Sequence, residues 1–255
     1  MRDAWHDEGF AQRWDAEDAL RTNPDREAQI DLLVALLAES FRDGDRLLDL
    51  GVGSGLVEEA LFERLPDIHV IGVDHSEAML AQARTRHRGR TNLRLVDGGF
   101  ENLDAMVESN DLGPPFEFMT CVQALHEVTD DVKRAVFAFA RRHIAPRGLF
   151  LVLDRFDYEP FALAPEYRCI WKRLNRCASQ EHAPEGPAPE GHAVEGHAPE
   201  TPLSFEEYRA RYAAKIDHVG AVEDYLRWMR EAGFDAACLY QQFNRALIAA
   251  RPKTG

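Results

Sequence analysis

Short apolar segments alternate with helical segments through the middle of the chain. Strands are predicted at residues 46–50, 69–74, 93–97, about 116–122 and 149–153, and helices at about 56–65, 77–87 and 130–143. The segment Leu149–Leu153 is continuously apolar, which is typical of a parallel strand buried on both faces. This alternation predicts an α/β fold with a doubly wound, mostly parallel sheet.

The two ends of the chain are expected to extend this sheet. Residues 1–45 are predicted to form an N-terminal helical cap, ahead of one domain that runs from residue 46 to residue 255. Two strand-like runs, at 235–242 and 243–250, are separated too briefly for a crossover. They therefore predict an antiparallel hairpin that closes the sheet edge and brings the sheet to seven strands.

A helical insertion is predicted at about 158–220. Within it, residues 179–202 are rich in Pro, Gly and Glu, repeat the tetrapeptide Glu-Gly-His-Ala, and contain almost no large apolar side chain. Such a segment buries too little surface to offset the entropy lost on ordering, so a disordered loop is expected there.

A glycine-rich turn follows the first predicted strand. Gly51, Gly53 and Gly55 have the spacing G-x-G-x-G, one residue tighter than the dinucleotide-binding pattern G-x-G-x-x-G, and Asp49 precedes them. Glycines permit the sharp turn and the close approach of a ligand. A carboxylate at Asp49 would repel a pyrophosphate but attract the α-ammonium of a methionine moiety. The turn therefore argues against a nicotinamide dehydrogenase.

Two more carboxylates end the next two predicted strands. Asp74 ends the second strand, where an acid accepts the hydroxyls of an adenosine ribose, although it could instead cap the helix that follows. Asp97 and Gly98 end the third strand and offer a carboxylate oxygen and a backbone N–H to adenine. Together with Asp49, these acids lie at three successive strand ends, where open α/β sheets bind ligands.

These segments resemble the class I S-adenosylmethionine (SAM) dependent methyltransferases, whose fold is Rossmann-like. The resemblance covers about residues 45–155 closely and the C-terminal hairpin loosely. The motifs that carry it are Leu48–Gly55, Val73–Leu80, Val96–Gly98, Val122–Glu127 and Ala145–Leu149. It implies SAM as cofactor, with His75, Met79, Val122 and Gln123 joining the acids and glycines as its binding residues.

The resemblance implies methyl transfer to an O, N, S or C atom of a small organic acceptor. The segment after strand four lacks the Asn/Asp-Pro-Pro-aromatic sequence of enzymes that methylate base amino groups. The C-terminal tail also resembles the carboxy-SAM synthases, which modify SAM itself, and Arg209 and Arg211 lie in the region where those enzymes hold a carboxylate. A non-catalytic SAM-binding protein is a further alternative.

His126 is the candidate catalytic residue, because it directly follows the fourth predicted strand. It could act as a base or orient the acceptor, or it could be a structural hydrogen-bonding residue, and Glu127 could orient it. Aromatic side chains near the N-terminus and in the insertion could cover the site or simply pack in the core. These are Trp5, Phe10, Trp14, Tyr158, Phe161, Tyr167, Trp171 and Tyr212.

The composition of the chain limits which binding partners and which cellular location are expected. The net charge of -14 argues against direct nucleic-acid binding, and the basic segment 84–90 is expected to lie at a helix C-terminus, with an RNA contact as the alternative. The four cysteines have no C-x-x-C spacing, so no metal site is predicted. The chain shows no signal peptide and no membrane-spanning run, so a cytoplasmic location is expected. A homodimer is left open.

Overall fold

The computed structural model describes residues 25–157, 163–181, 204–207 and 218–254, with residues 9 and 210. The chain divides into two compact units, one formed by residues 1–157 and 217–255 and the other by residues 158–216. Several predicted features lie outside the described residues. These are the aromatic side chains Trp5, Phe10, Trp14, Tyr158, Phe161 and Tyr212, the arginines Arg209 and Arg211, and residues 182–202 of the predicted disordered loop.

The first unit is built on a seven-stranded sheet in the order β3-β2-β1-β4-β5-β7-β6. Its strands are β1 Arg46–Leu50, β2 His69–Asp74, β3 Leu93–Asp97, β4 Phe116–Val122, β5 Ile144–Arg155, β6 Phe234–Gln242 and β7 Arg245–Pro252. Strands β1 to β5 are parallel, whereas β7 runs antiparallel to both β5 and β6. The predicted doubly wound sheet with an antiparallel C-terminal hairpin is confirmed.

Helices connect the strands and cover both faces of the sheet. In the first unit they are α1 Arg26–Ser40, α2 Leu56–Arg64, α3 Glu77–Arg86, α4 Leu103–Glu108, α5 Asp130–His143 and α7 Val222–Glu231, and α6 Ala164–Glu181 belongs to the second unit. Ser76 begins α3 by accepting a hydrogen bond from the Met79 N–H, and Gly233 follows α7 with φ of 98°. Within the described ranges, no helix combines the length and the apolar character that a bilayer crossing requires.

Strand β5 is longer than the sequence predicted. It begins at Ile144 rather than Leu149, so most of the motif Ala145–Leu149 that was expected to precede the strand lies inside it. The pairing with β4 shifts register between Phe116 and Phe118, which marks an irregularity at the start of the strand. Such an irregularity accommodates Pro146, because proline has no N–H to donate to a neighbouring strand.

Each face of the sheet has its own apolar core. On one face, Phe150 of β5 lies beneath Phe137 of α5, with ring centroids 6.2 Å apart, and Phe137 contacts Tyr225 of α7. On the other face, the apolar side chains of α1 and α2 pack on alternate residues of the same strands, including Leu151. The central strands β1, β4 and β5 are therefore buried on both sides, as their apolar runs predicted, whereas the edge strands β3 and β6 are partly exposed.

The two chain segments that flank the insertion meet at the sheet. The Asp157 N–H, just after β5, donates to the carbonyl of Gly220 at 3.1 Å. The ammonium group of Lys133, a fully buried residue of α5, donates to the carbonyl of His218 at 2.5 Å and to Asp130 at 2.8 Å. These bonds hold Asp157, His218 and Gly220 in place within the first unit.

The aromatic core predicts a large cost for Phe150→Ala. Removal of a fully buried phenyl ring leaves a cavity, and we expect the free energy of unfolding to fall by about 3–5 kcal/mol. Urea denaturation followed by circular dichroism measures it. Leu239→Ala is the control, because Leu239 is 55% exposed on the edge strand β6, and its effect should stay within about 0.5 kcal/mol. Equal costs for the two variants would contradict this core assignment.

Candidate active site

The candidate site lies where the strand order changes direction, between β1 and β4. The chain passes from β1 to β2 and β3 on one side and then returns to β4 on the other. The loops that follow β1 and β4 therefore diverge and leave a crevice at the carboxyl edge of the sheet, where open α/β sheets bind ligands. The glycine turn, Asp74, Asp97 and the segment after β4 all follow strand ends at this edge.

The glycine turn between β1 and α2 is held by the end of β2. The backbone N–H groups of Gly51 and Val52 both donate to the carbonyl of Val73, at 2.8 and 3.0 Å. The φ angles of Gly51, Gly53 and Gly55 are all positive. A Cβ on Gly51 would lie 2.5 Å from the Cβ of Ala124, so the segment after β4 packs directly against this turn. Only glycine fits there.

Asp74 holds the same turn through its side chain. Its Oδ2 accepts the Gly53 N–H and its Oδ1 accepts the Ser76 N–H, both at 2.9 Å. Burial raises the pKa of Asp74, and the hydrogen bonds from Ser76 and Gly53 and the nearby His75 partly oppose this rise. The cap of α3 is Ser76 and not Asp74. A carboxylate has about four acceptor positions, so both oxygens retain capacity for ligand hydroxyls.

Asp49 is almost completely buried beneath the turn. It pairs with Gly72 in the sheet, two residues below Asp74, and its Oδ1 accepts the Thr120 hydroxyl at 2.5 Å. Burial raises the pKa of Asp49 to about 6, against the lowering effect of hydrogen bonds from Thr120 and Glu58. Glu58, a fully buried residue of α2, was not predicted as a site residue.

The third strand contributes a more exposed acid. Asp97 pairs directly with Asp74 across β2 and β3, and its side chain is exposed. The Gly98 N–H donates to the Asp74 carbonyl at 2.9 Å, and a Cβ on Gly98 would collide with Met106. The carboxylate of Asp97 is therefore available at the edge, while the backbone beside it is tightly packed.

The other predicted cofactor residues surround the same edge. Met79 is buried in the first turn of α3, and its Cε lies 3.4 Å from where a Cβ on Gly53 would be. His75 is partly exposed beside Asp74. Val122 ends β4, and the next residue, Gln123, has φ of 53° and donates its N–H to the Leu153 carbonyl at 2.7 Å.

His126 lies in a short 3₁₀ turn after β4 and is buried between two carboxylates. Its Nδ1 is 2.6 Å from Asp154 Oδ1, and its Nε2 is 3.3 Å from Glu127 Oε1. The Tyr225 hydroxyl donates to the other oxygen of Asp154 at 3.3 Å. Burial lowers the pKa of His126, but the attraction of Asp154 and Glu127 outweighs it, so the pKa is raised overall.

Asp154 was not among the predicted site residues. It follows the apolar run Leu149–Leu153 directly, at the carboxyl end of β5. The same rule that singled out Asp49, Asp74 and Asp97 therefore applied to Asp154 as well.

The basic segment 84–90 supports the glycine turn from behind. Arg86 donates to the carbonyl of Ser54, and the His87 Nε2 lies 2.8 Å from the carbonyl of Gly55. Arg90 stacks on the ring of Phe62, with 4.1 Å between the guanidinium carbon and the ring centroid. The segment begins in the last turn of α3, as predicted, and these side chains have partners within the domain.

Residues 47–148 match the family model of a methyltransferase domain. This segment extends from β1 through the glycine turn, all three predicted acids, His126 and the start of β5. Residues 47–148 are therefore a methyltransferase domain. For this segment, the match confirms the predicted resemblance to SAM-dependent methyltransferases.

Two individual proteins are similar in sequence to parts of this chain. A ubiquinone biosynthesis O-methyltransferase of Hahella chejuensis is 33% identical over 158 residues, which cover 60% of each chain. A trans-aconitate 2-methyltransferase of Acidovorax ebreus is 40% identical over 84 residues, which cover 32% of this chain and 28% of that protein. The chain thus spans 60% or less of the length of these relatives.

Solved structures share the fold. The DhpI–SAH complex has a TM-score of 0.57 at 18% identity, and the match covers 95% of this chain and 92% of that one. Human N-acetylserotonin methyltransferase, solved with SAM, has a TM-score of 0.60 at 15% identity, and the match covers 98% of this chain and 58% of that one. The predicted fold is therefore that of known methyltransferases.

The packing of the methyltransferase turn predicts that Gly51→Ala is more damaging than Gly44→Ala. Both glycines have φ of 87°, but nothing lies within 4 Å of a Cβ on Gly44. Gly44→Ala should lower the free energy of unfolding by about 1–2 kcal/mol, the cost of left-handed backbone. Gly51→Ala should cost more, because Ala124 must also move. Urea denaturation measures both, and equal costs would contradict the close packing of Ala124 on the turn.

Proposed function

We propose that the domain binds SAM at the glycine turn and transfers its methyl group to an oxygen atom of a small organic acceptor. The arrangement of Asp49, Asp74 and Asp97 around the turn carries this proposal. The ubiquinone biosynthesis O-methyltransferase relative supports oxygen as the acceptor atom. SAM supplies a methyl group already activated by its sulfonium, so the protein contributes mainly position and orientation.

The chemistry of the site fits SAM. The three carboxylates provide acceptors for an ammonium, for ribose hydroxyls and for an amino group. We assign Asp49 to the α-ammonium, Asp74 to the ribose and the carboxylate of Asp97 to adenine. The Gly98 N–H, which the sequence also suggested for adenine, already donates to the Asp74 carbonyl. We place Met79 and His75 beside the nucleoside, and Val122 and Gln123 at the end of β4 along the cofactor.

We further propose that His126 accepts the proton of an acceptor hydroxyl. The short contact between Nδ1 and Asp154 holds the ring with Nε2 directed away from Asp154, as in other histidine bases. Glu127 must then move from Nε2 when the acceptor binds. A carboxylate acceptor is already ionised at neutral pH, so it would not need this base.

Mass spectrometry of the purified protein tests the function directly, by showing whether SAM, SAH or a carboxylated form of SAM is bound. Methyl transfer is then assayed with a catechol and with trans-aconitate, which present a hydroxyl and a carboxylate oxygen respectively. Binding of SAM without transfer to any acceptor would favour a non-catalytic role. A carboxylated cofactor would favour the carboxy-SAM synthase alternative, whose candidate residues Arg209 and Arg211 lie outside the described residues.

Asp74→Ala should weaken SAM binding at least about tenfold, because it removes charge-assisted hydrogen bonds to the ribose. Isothermal titration calorimetry measures this, and urea denaturation verifies that the variant folds, since Asp74 also holds the Gly53 N–H. Asp43→Ala, which removes an exposed acid before β1, should leave affinity unchanged. Unaltered SAM affinity in Asp74→Ala would remove the ribose assignment.

The base role predicts a pH dependence. With a catechol, kcat should increase as pH rises through the raised pKa of His126, because only the neutral ring accepts a proton. His126→Gln should lower kcat about 100-fold or more and abolish this increase. With trans-aconitate, the same substitution should have a much smaller effect.

The structural alternative predicts a different result for the same variant. A histidine with a raised pKa contributes stability that is fully present below its unfolded pKa, about 6.5, and is lost as pH rises through the folded pKa. If His126 only fixes Asp154 and Glu127, His126→Gln would change the pH dependence of unfolding and leave the pH profile of kcat intact. That outcome would refute the base role.

A further inference from the structure

Two carboxyl groups lie together beneath the glycine turn. Asp49 at the end of β1 is 1% exposed and Glu58 in the first turns of α2 is 0% exposed, and the two side chains are close enough to share a hydrogen bond. Asp49 belongs to the turn motif. Glu58 has no role in the function proposed above, although burial of an unpaired glutamate is costly.

The hydrogen bonds around this pair leave three oxygens open. Asp49 Oδ1 accepts the Thr120 hydroxyl at 2.5 Å. Apart from the contact between the two carboxyl groups themselves, no N–H or O–H group in the described part of the chain donates to Asp49 Oδ2 or to either side-chain oxygen of Glu58. A hydrogen bond between the two carboxyl groups therefore requires a proton on one of them, because two ionised carboxylates have only acceptors.

Glu58 is the group that keeps the proton. Burial raises the pKa of Glu58 well above its usual value of 4.5, and the charge of Asp49 adds to this effect. The positive charge of the nearby Arg86 acts in the opposite direction and does not overcome the effect of burial. The pKa of Asp49 reaches only about 6, since Thr120 and Glu58 both donate to its ionised form.

We propose that Glu58 is a positioning residue for the cationic end of the cofactor: it remains neutral and donates a hydrogen bond to Asp49 Oδ2. Thr120 and Glu58 then hold the two oxygens of Asp49 from opposite sides. The remaining acceptor positions of Asp49 are presented to the ligand, and the pair carries one negative charge to match one ammonium. This inference rests on the SAM-binding function proposed above.

Other titratable groups face the pair from the neighbouring elements. They are Asp74 of β2, Cys121 of β4 and Arg86 of α3. Helix α1 packs on α2 and contributes Asp31, which pairs with Arg64 at the exposed surface. All of these groups are unchanged in variants of Glu58, so a comparison among such variants isolates the contribution of Glu58.

The experiment measures SAM affinity by isothermal titration calorimetry between about pH 5 and 8, where the charge of Asp49 changes. Affinity of the wild type should fall below about pH 6, as Asp49 becomes protonated. Glu58→Gln retains an N–H donor without a charge, so its affinity and pH midpoint should match the wild type. Glu58→Leu removes the donor, so its affinity should fall about tenfold at pH 7.5 and its midpoint should move to higher pH.

Glu63→Gln is the matched control. Glu63 lies on the same helix but is exposed, so this variant should bind SAM as the wild type does at every pH. Equal weakening by Glu58→Gln and Glu58→Leu would overturn the inference, because it would mean that an ionised Glu58 is required. Wild-type affinity and midpoint in Glu58→Leu would overturn it as well, because the donor would then have no effect on Asp49.

The unfolding of the protein without SAM provides a second readout. A glutamate with a raised pKa contributes stability that is present below pH 4.5 and is lost as pH rises through the folded pKa. The Tm of Glu58→Gln relative to the wild type should therefore increase with pH, and a constant difference would overturn the neutral state of Glu58. If the wild type bound no SAM, the proposed function would fail together with the ligand role of Glu58, whereas SAM binding with indistinguishable variants would overturn the role of Glu58 alone.

Discussion

The site depends on a set of hydrogen bonds between the end of β2 and the turn that follows β1. The Val73 carbonyl and the Asp74 carboxylate together accept three consecutive N–H groups, those of Gly51, Val52 and Gly53. These bonds order the turn in the absence of a ligand, so ligand binding does not incur the entropy cost of ordering it. They also set where α2 begins, and this in turn brings Glu58 against Asp49.

The part of this arrangement that depends on where the strands end was predicted from the sequence. A carboxylate at the end of an apolar strand must reach the carboxyl edge of a parallel sheet, and this argument located Asp49, Asp74 and Asp97. It also applied to Asp154, but the strand was assigned only as far as Leu153. The start of β5 was misplaced for a different reason, because Pro146 and Gly148 are typical of turns and the sequence gives no sign that an irregular strand accommodates them.

Glu58 could not be identified in the same way. Two adjacent acids, Glu58 and Glu59, lie near the start of α2, and glutamate side chains are ordinarily exposed. Glu58 precedes Leu61 and Phe62 by three and four residues, however, so helical spacing places it on the buried face of α2, while Glu59 lies outside this face and pairs with Arg86. The spacing therefore carried a signal for the burial of Glu58, whereas its position against Asp49 depends on how α2 packs on the sheet.

The two buried acids at the carboxyl edge differ in what neutralises them. Asp154 has its partners within the domain, because His126 and Tyr225 both bond to it. Asp49 contacts only neutral donors among the described residues. Asp154 thus has a basic side chain, His126, as its partner, whereas Asp49 has no basic partner among the described residues. A cation would therefore be stabilised most beneath the glycine turn.

The contact between Asp157 and Gly220 has a consequence for how such a domain diversifies. The entropy cost of closing an inserted segment grows only slowly with its length, and here the residues where the chain leaves and re-enters the first unit are already bonded to each other. The host sheet and the acids at its carboxyl edge can therefore stay constant while residues 158–216 are exchanged. A chimaera that carries another protein's segment between these two anchor points should retain the same β-sheet scaffold.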